Sequence, residues 1–158
     1  MKIQYKVGNI LDAPEAAILQ QVNARGAMGT GVARAIMNRY PLVYAVYRAE
    51  YVARGLPMGS IVWVDCGVED PKFHLVGNIV GQPDFGGDGA LYTDYDALRV
   101  GIAEANRFLK ESGITAAAFP LIGAGLGGGD WGKISEIIET EMVDVQPVVY
   151  VLDASLIP

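Results

Sequence analysis

The chain is short of cysteine, histidine and basic residues, and each shortage removes a class of function. Cys66 is the only cysteine and His74 the only histidine among 158 residues. A disulfide within the chain is excluded, and a reducing cytoplasm is the expected compartment. Two such residues do not fill a zinc shell, so no metal site is expected. Lys and Arg number 12 against 18 Asp and Glu, a net charge of -6. That balance argues against a nucleic-acid partner held by broad contact with its backbone, which needs a basic patch. A single modified base held in a cleft would need none. An anionic ligand would have to be gripped largely by backbone N–H groups. No apolar run approaches the roughly 20 residues that cross a bilayer, so no membrane partner is expected. The opening "MKIQYKVGNI" reads as a strand rather than a signal peptide. There is no internal repeat and no linker, so residues 1–158 read as one domain. A monomer fits this reading.

What the chain has in quantity is apolar residues, at 51%, and glycine, at 20 positions. Alternation or apolar runs predict strands at Lys2–Val7, Ala16–Val22, "GSIVWVDC", "FHLVGNIV", "ITAAAFPLI" and "PVVYVLD". Helices are predicted at "VARAIMNRY", at Pro41 to about Arg54, at Asp94–Ser112 and at Trp131–Met142. In the third of these, Tyr95, Leu98, Ile102, Ala105 and Leu109 share one face. The order β-β-α-α-β-β-α-β-α-β predicts a mixed, mostly parallel sheet with helices on both faces.

"GAGLGGGDW" satisfies G-x-G-x-x-G through Gly123, Gly125 and Gly128. That pattern marks dinucleotide-binding domains when it lies in the first βα turn of a βαβ unit. Here only one strand follows it, so a nicotinamide-dependent oxidoreductase is a remote alternative. The strand–loop–helix setting still aims backbone N–H groups at one point, with a helix dipole behind them. "NARGAMGTG" has the same setting, and two such loops side by side suit a diphosphate. The alternative is that both are tight turns.

The segments "GNILDAP", "QQVNARGAMGTGVARAI", "VGNIVGQ", "YTDYDAL", "FPLIGAGLGGGDW" and "VYVLD" resemble, in order, those of the macrodomain family of ADP-ribose-binding modules. The similarity is greatest to the branches that process ADP-ribose 1″-phosphate or remove terminal ADP-ribose. It implies a three-layer α/β/α sandwich with ADP-ribose in a surface cleft and no cofactor. By motif, Asn9 and Ile10 would hold the adenine, and Asn23 would position the distal ribose. Gly29, Thr30, Gly31 and Val32 would wrap the diphosphate from one side, and Gly123, Ala124, Gly125 and Leu126 from the other. Leu152 or Tyr150 would pack near the adenosine.

Several of the family's catalytic positions differ here. Branches carry an aspartate where this chain has Ala33, and a second asparagine where it has Gly26. The terminal glycohydrolase branch has a lysine where this chain shows Tyr92 and an aspartate at Gly127. A covalent lysine route is not supported. Asp130 remains as a candidate base, and it stands equally well as the N-cap of the helix that follows. Tyr92 and Asp94 adjoin the cleft, and Arg25 is either a phosphate partner or a solvated loop residue. His74 is expected to be structural and Cys66 a buried thiol. The reading is a hydrolase acting at the distal-ribose end of ADP-ribose 1″-phosphate or of an ADP-ribosylated substrate. Its rival is a non-catalytic ADP-ribose reader.

Overall fold

The structure is a computed structural model that describes residues 1–67 and 74–158. Its strands are β1 (Gln4–Val7), β2 (Ala17–Asn23), β3 (Ile61–Asp65), β4 (Leu75–Gln82), β5 (Ala116–Phe119) and β6 (Gln146–Val151). Its helices are α1 (Gly31–Arg39), α2 (Pro41–Arg54), α3 (Tyr95–Glu111) and α4 (Trp131–Glu141). The element order is the predicted one, with two short 3₁₀ turns added at Ile10–Asp12 and Ala154–Leu156. The strand ends are shorter than predicted at β5, because Pro120 has no N–H to continue the ladder. Phe73, at the start of the expected fourth strand, lies outside the described residues, and β4 begins at Leu75.

The sheet runs β1-β6-β5-β2-β4-β3. All neighbours are parallel except the edge pair β3 and β4. Side chains alternate across β2 and divide the core in two. Ile18 and Val22 pack with Ile36 of α1 and Val43 and Tyr47 of α2. Ala17 and Leu19 pack with Leu98, Ile102 and Leu109 of α3 and Ile134, Ile137 and Ile138 of α4. The result is a three-layer α/β/α sandwich. Buried apolar residues on α2, α3 and α4, and Ile36 on α1, rather than intrinsic helix propensity, hold the helices to the sheet.

His74, just before β4, is buried between the Tyr40 hydroxyl at Nδ1 and the Ala13 carbonyl at Nε2, each 2.8 Å away. Cys66 is buried, and burial pushes its thiol up to about 11. Among the described residues no helix is long and apolar enough to cross a membrane.

Candidate functional site

Because β1, β6, β5 and β2 are adjacent and parallel, the segments that leave their carboxyl ends lie along one edge of the sheet. In open α/β sheets this edge is where ligand crevices form. The segments leaving β2 and β5 are the two glycine-rich loops, and these strands are immediate neighbours.

The first loop is built by Asn23. Its side chain is buried, 7% exposed. Asn23 Oδ1 accepts from the N–H of Arg25 at 3.0 Å, the N–H of Ala27 at 3.3 Å and the Tyr47 hydroxyl at 3.1 Å. Its Nδ2 donates to the Ala27 carbonyl at 2.8 Å. Tyr47 also donates to the Asn23 carbonyl at 2.6 Å, and burial raises the Tyr47 hydroxyl far above its usual range. Asn23 thus folds the loop, and one amide hydrogen is left for anything beyond it. Gly26 takes φ +73° against the face of Tyr51, where a Cβ would lie 2.7 Å from the ring. An asparagine is therefore excluded at that position by packing. Gly29, Thr30, Gly31 and Val32 are exposed. Thr30 is the N-cap of α1, but its side chain makes no capping bond. The N–H groups of Gly31, Val32 and Ala33 find no acceptor among the described residues. They stand at the positive end of the helix dipole.

The second loop turns its carbonyls inward. Gly127 accepts from the N–H groups of Tyr92 and Thr93 at 2.8 and 3.0 Å, and Gly123 accepts from the Thr93 hydroxyl and the Gly129 N–H. Ala124 donates to the Leu121 carbonyl, while the N–H groups of Gly125 and Leu126 find no acceptor among the described residues. A Cβ on Gly125 would meet nothing within 4 Å, whereas one on Gly128, at φ +70°, would lie 2.3 Å from the Ala90 carbonyl. Gly128 therefore serves the packing of the loop, and Gly125 leaves its outer surface open.

At the β1 end, Asn9 is exposed and caps the turn at Ile10–Asp12, its Oδ1 accepting the Leu11 N–H at 3.0 Å. Ile10 is buried. Leu152, after β6, is 76% exposed. The Tyr150 hydroxyl donates to the buried Glu15 carboxylate at 2.8 Å. Burial first, and that carboxylate second, raise it far above the ordinary tyrosine range.

Asp130 is the N-cap of α4. Its Oδ1 accepts the Lys133 N–H at 3.0 Å, and its own N–H donates to the Tyr95 hydroxyl at 2.9 Å. Its Oδ2 makes no bond among the described residues, and the residue is exposed. No hydrogen bond or ion pair joins Asp130 to Asn23. Tyr92 donates its hydroxyl to Asp88 at 2.9 Å. That bond raises the tyrosine's pKa, while Asp88, held first by the Ala90 N–H and then by Tyr92, is lowered. Asp94 caps α3 through the Ala97 N–H. Arg25 pairs with Asp84 at 3.2 Å, both well exposed. Among the described residues there is no cluster of three or more His, Cys, Asp or Glu fit to hold a metal.

Two recesses lie away from both loops. One of about 550 Å³ is lined by Lys2, Ser135 and Glu139, and one of about 430 Å³ by Val46, Arg54 and Trp63. Sequence reasoning missed the bonds by which Gln21, Gln82 and Thr93 fasten the second loop. The signal was two consecutive glutamines inside an otherwise apolar strand.

Fold and loops together define an α/β/α domain that presents two sets of unpaired backbone N–H groups at one sheet edge. The Macro domain family model matches residues 20–138, and the chain belongs to that family. It is 28% identical over 152 residues to a DNA ADP-ribosyl glycohydrolase of Mycobacterium tuberculosis, covering 94% of this chain and 42% of that protein. The chain thus spans less than half the length of that relative. A shorter match, 42% identical over 43 residues, covers 27% of this chain and 22% of an ADP-ribose 1″-phosphate phosphatase of Aspergillus clavatus. Among solved structures, the macrodomain of Mycobacterium tuberculosis DarG superposes with a TM-score of 0.80 at 26% identity, covering 94% of this chain and 96% of that one.

Proposed function

We propose that this protein binds ADP-ribose across the carboxyl edge of its sheet and hydrolyses a bond at the distal ribose. The observation that carries the reading is the pair of unpaired amide sets, Gly31 to Ala33 on one side and Gly125 with Leu126 on the other. With a net charge of -6 and Arg25 already paired to Asp84, a diphosphate would be held chiefly by backbone dipoles. Asn9 and Ile10 would meet the adenine, Leu152 the adenosine face, and Asn23 the distal ribose through its remaining amide hydrogen. Gly29, Thr30 and Val32 would line the diphosphate path, with Gly123 and Ala124 opposite. Water attack at the anomeric carbon builds oxocarbenium character, which a nearby carboxylate assists. The free Oδ2 of Asp130 is the group assigned to activate that water, and Tyr92 lies at the loop's other flank. The names of two relatives, a DNA ADP-ribosyl glycohydrolase and an ADP-ribose 1″-phosphate phosphatase, support a substrate of one of those two kinds. The acidic surface favours a small modified group seated in the cleft over an extended nucleic-acid strand.

A second reading has its own support. Asp130 spends one oxygen as a cap and Asn23 spends nearly all its bonds on its loop. A reader that binds ADP-ribose without turnover would look the same. Calorimetry with ADP-ribose and NAD, followed by turnover assays on an ADP-ribosylated oligonucleotide and on ADP-ribose 1″-phosphate, separates the cases. Binding with turnover supports the hydrolase, and binding without turnover on either substrate leaves the reader. Tight NAD binding with no response to ADP-ribose would refute both.

A further inference from the structure

Gln21 lies beneath the second loop, on the α3 and α4 side of β2. Its Nε2 donates to Gln82 Oε1 at 2.7 Å and to Thr93 Oγ1 at 3.0 Å. Both amide hydrogens are therefore spent. Thr93 is buried and passes its own proton to the Gly123 carbonyl at 2.8 Å. The Thr93 N–H joins that of Tyr92 on the Gly127 carbonyl. The chain of bonds also runs the other way, from Gln82 Nε2 to the Asp84 carbonyl at 2.8 Å.

The fit is tight on every side. A Cβ on Gly127 would lie 2.5 Å from Thr93 Oγ1, and one on Gly81 would lie 2.4 Å from Gln21 Oε1. Gln21 Oε1 is itself buried and without a partner. A buried acceptor left unpaired costs free energy, so this side chain is not an optimised piece of core. Leucine in its place would remove the orphan, but it would leave Thr93 and Gln82 without their donor. What the arrangement yields is two anchored carbonyls, Gly123 and Gly127, and an arch between them that carries the free N–H groups of Gly125 and Leu126.

We infer that Gln21 and Thr93 are positioning residues, which hold the Gly123–Gly127 arch in the form that presents its free N–H groups to a ligand's diphosphate. The inference rests on the ADP-ribose reading of the cleft. The test compares wild type with Thr93→Val, which removes the hydroxyl, and Thr93→Ser, which keeps it. ADP-ribose is titrated by calorimetry and adenosine by ligand-observed NMR. Thr93→Val is expected to weaken ADP-ribose about tenfold, as befits one buried hydrogen bond. Thr93→Ser should bind near wild type, and adenosine, which lacks the diphosphate, should be unaffected in both. Unchanged ADP-ribose affinity in Thr93→Val overturns the inference while leaving the proposed function standing. So does an equal loss for adenosine, which would mark a general loosening of the fold. Thr93→Ala replaces Thr93→Val if the buried methyl prevents folding. If wild type fails to bind ADP-ribose, the functional reading falls, and hydrogen exchange without ligand decides the structural part. The Gly129 N–H, bonded to the Gly123 carbonyl at 2.9 Å, should exchange faster in Thr93→Val but not in Thr93→Ser. Equal exchange in all three overturns the inference.

Discussion

Asp130 can be made to report separately on its two roles, because asparagine caps a helix nearly as well as aspartate but is no base. The cap is the Oδ1 bond to the Lys133 N–H at 3.0 Å, made from an extended residue at φ -76° and ψ 119°. Asp130→Ala removes it, at a cost of about 1 kcal/mol. Unfolding entropy near 2.1 cal/mol/K per residue, taken over 158 residues, makes that a fall in Tm of about 3 °C. Asp130→Asn keeps the bond and loses only the attraction of a carboxylate for the helix dipole, about 0.3–1 kcal/mol at an exposed site. Its Tm should fall by roughly 1–3 °C, less than that of Asp130→Ala. Activity should divide differently. General bases contribute about 100- to 10,000-fold, so both variants should lose at least about 100-fold in kcat while binding ADP-ribose within about threefold of wild type. The assays are thermal unfolding by circular dichroism and release of ADP-ribose from an ADP-ribosylated oligonucleotide, with phosphate release from ADP-ribose 1″-phosphate in parallel. Full turnover by Asp130→Asn beside a destabilised Asp130→Ala would show that the aspartate only caps α4. A larger loss of Tm in the asparagine variant would refute the capping argument itself.

Three further outcomes follow from the loops and the core. Gly125→Ala adds a Cβ in open space at a residue without positive φ. Its Tm should stay within about 1–2 °C of wild type, while calorimetry should show ADP-ribose affinity down by at least about tenfold; undiminished affinity would place the diphosphate elsewhere. Gly128→Ala drives a Cβ to 2.3 Å from the Ala90 carbonyl at φ +70°, and chemical denaturation should show a loss above about 2 kcal/mol. The folded Cys66 thiol, pushed up to about 11 from near 9, should stay unreactive to a thiol reagent at pH 8 until the chain is unfolded. The folded form holds this proton longer than the unfolded one, so its contribution to stability is complete below pH 9 and declines as pH rises toward 11. Cys66→Ala should flatten that part of the stability profile relative to wild type, and an unaltered profile would contradict the shift.

The fold was legible because its signals are periodic and local. The stripe from Leu98 to Leu109 is a helix face in the sequence and a buried face in the structure. Strand ends were less legible, since Pro120 closes β5 where apolar composition runs on to Ile122. At the site, Asp130 could be read as a cap because its partner is three residues away. Asn23 drew attention as a ligand-positioning residue, but its dominant partner outside the loop is Tyr47, 24 residues further on. The bond between Gln21 and Thr93 was not found, the two being 72 residues apart in the chain and joined only by the tertiary fold.

The paired glutamines of β2 show how the two layers of the domain differ in what they serve. Gln20 faces the α1 and α2 layer and donates to Asn78 Oδ1 at 2.7 Å, and Asn78 donates to the Val62 carbonyl at 2.9 Å. That chain stays within the sheet and stops at the β3 edge. Gln21 faces the opposite layer, and its bonds run outward through Thr93 to the carbonyls of the second loop. Each glutamine leaves one buried Oε1 unpaired, so each carries a comparable desolvation cost. Stability alone does not account for that cost on the Gln21 side, where its amide is bonded to Gln82 and Thr93 beneath Gly123 and Gly127. A fixed loop geometry does, since between Gly123 and Gly127 the loop has only Ala124 and the exposed Leu126 as side chains to hold its own shape. A backbone that must present bare N–H groups cannot be stiffened by bulky side chains above it. Its rigidity has to come from below, through polar atoms in the core.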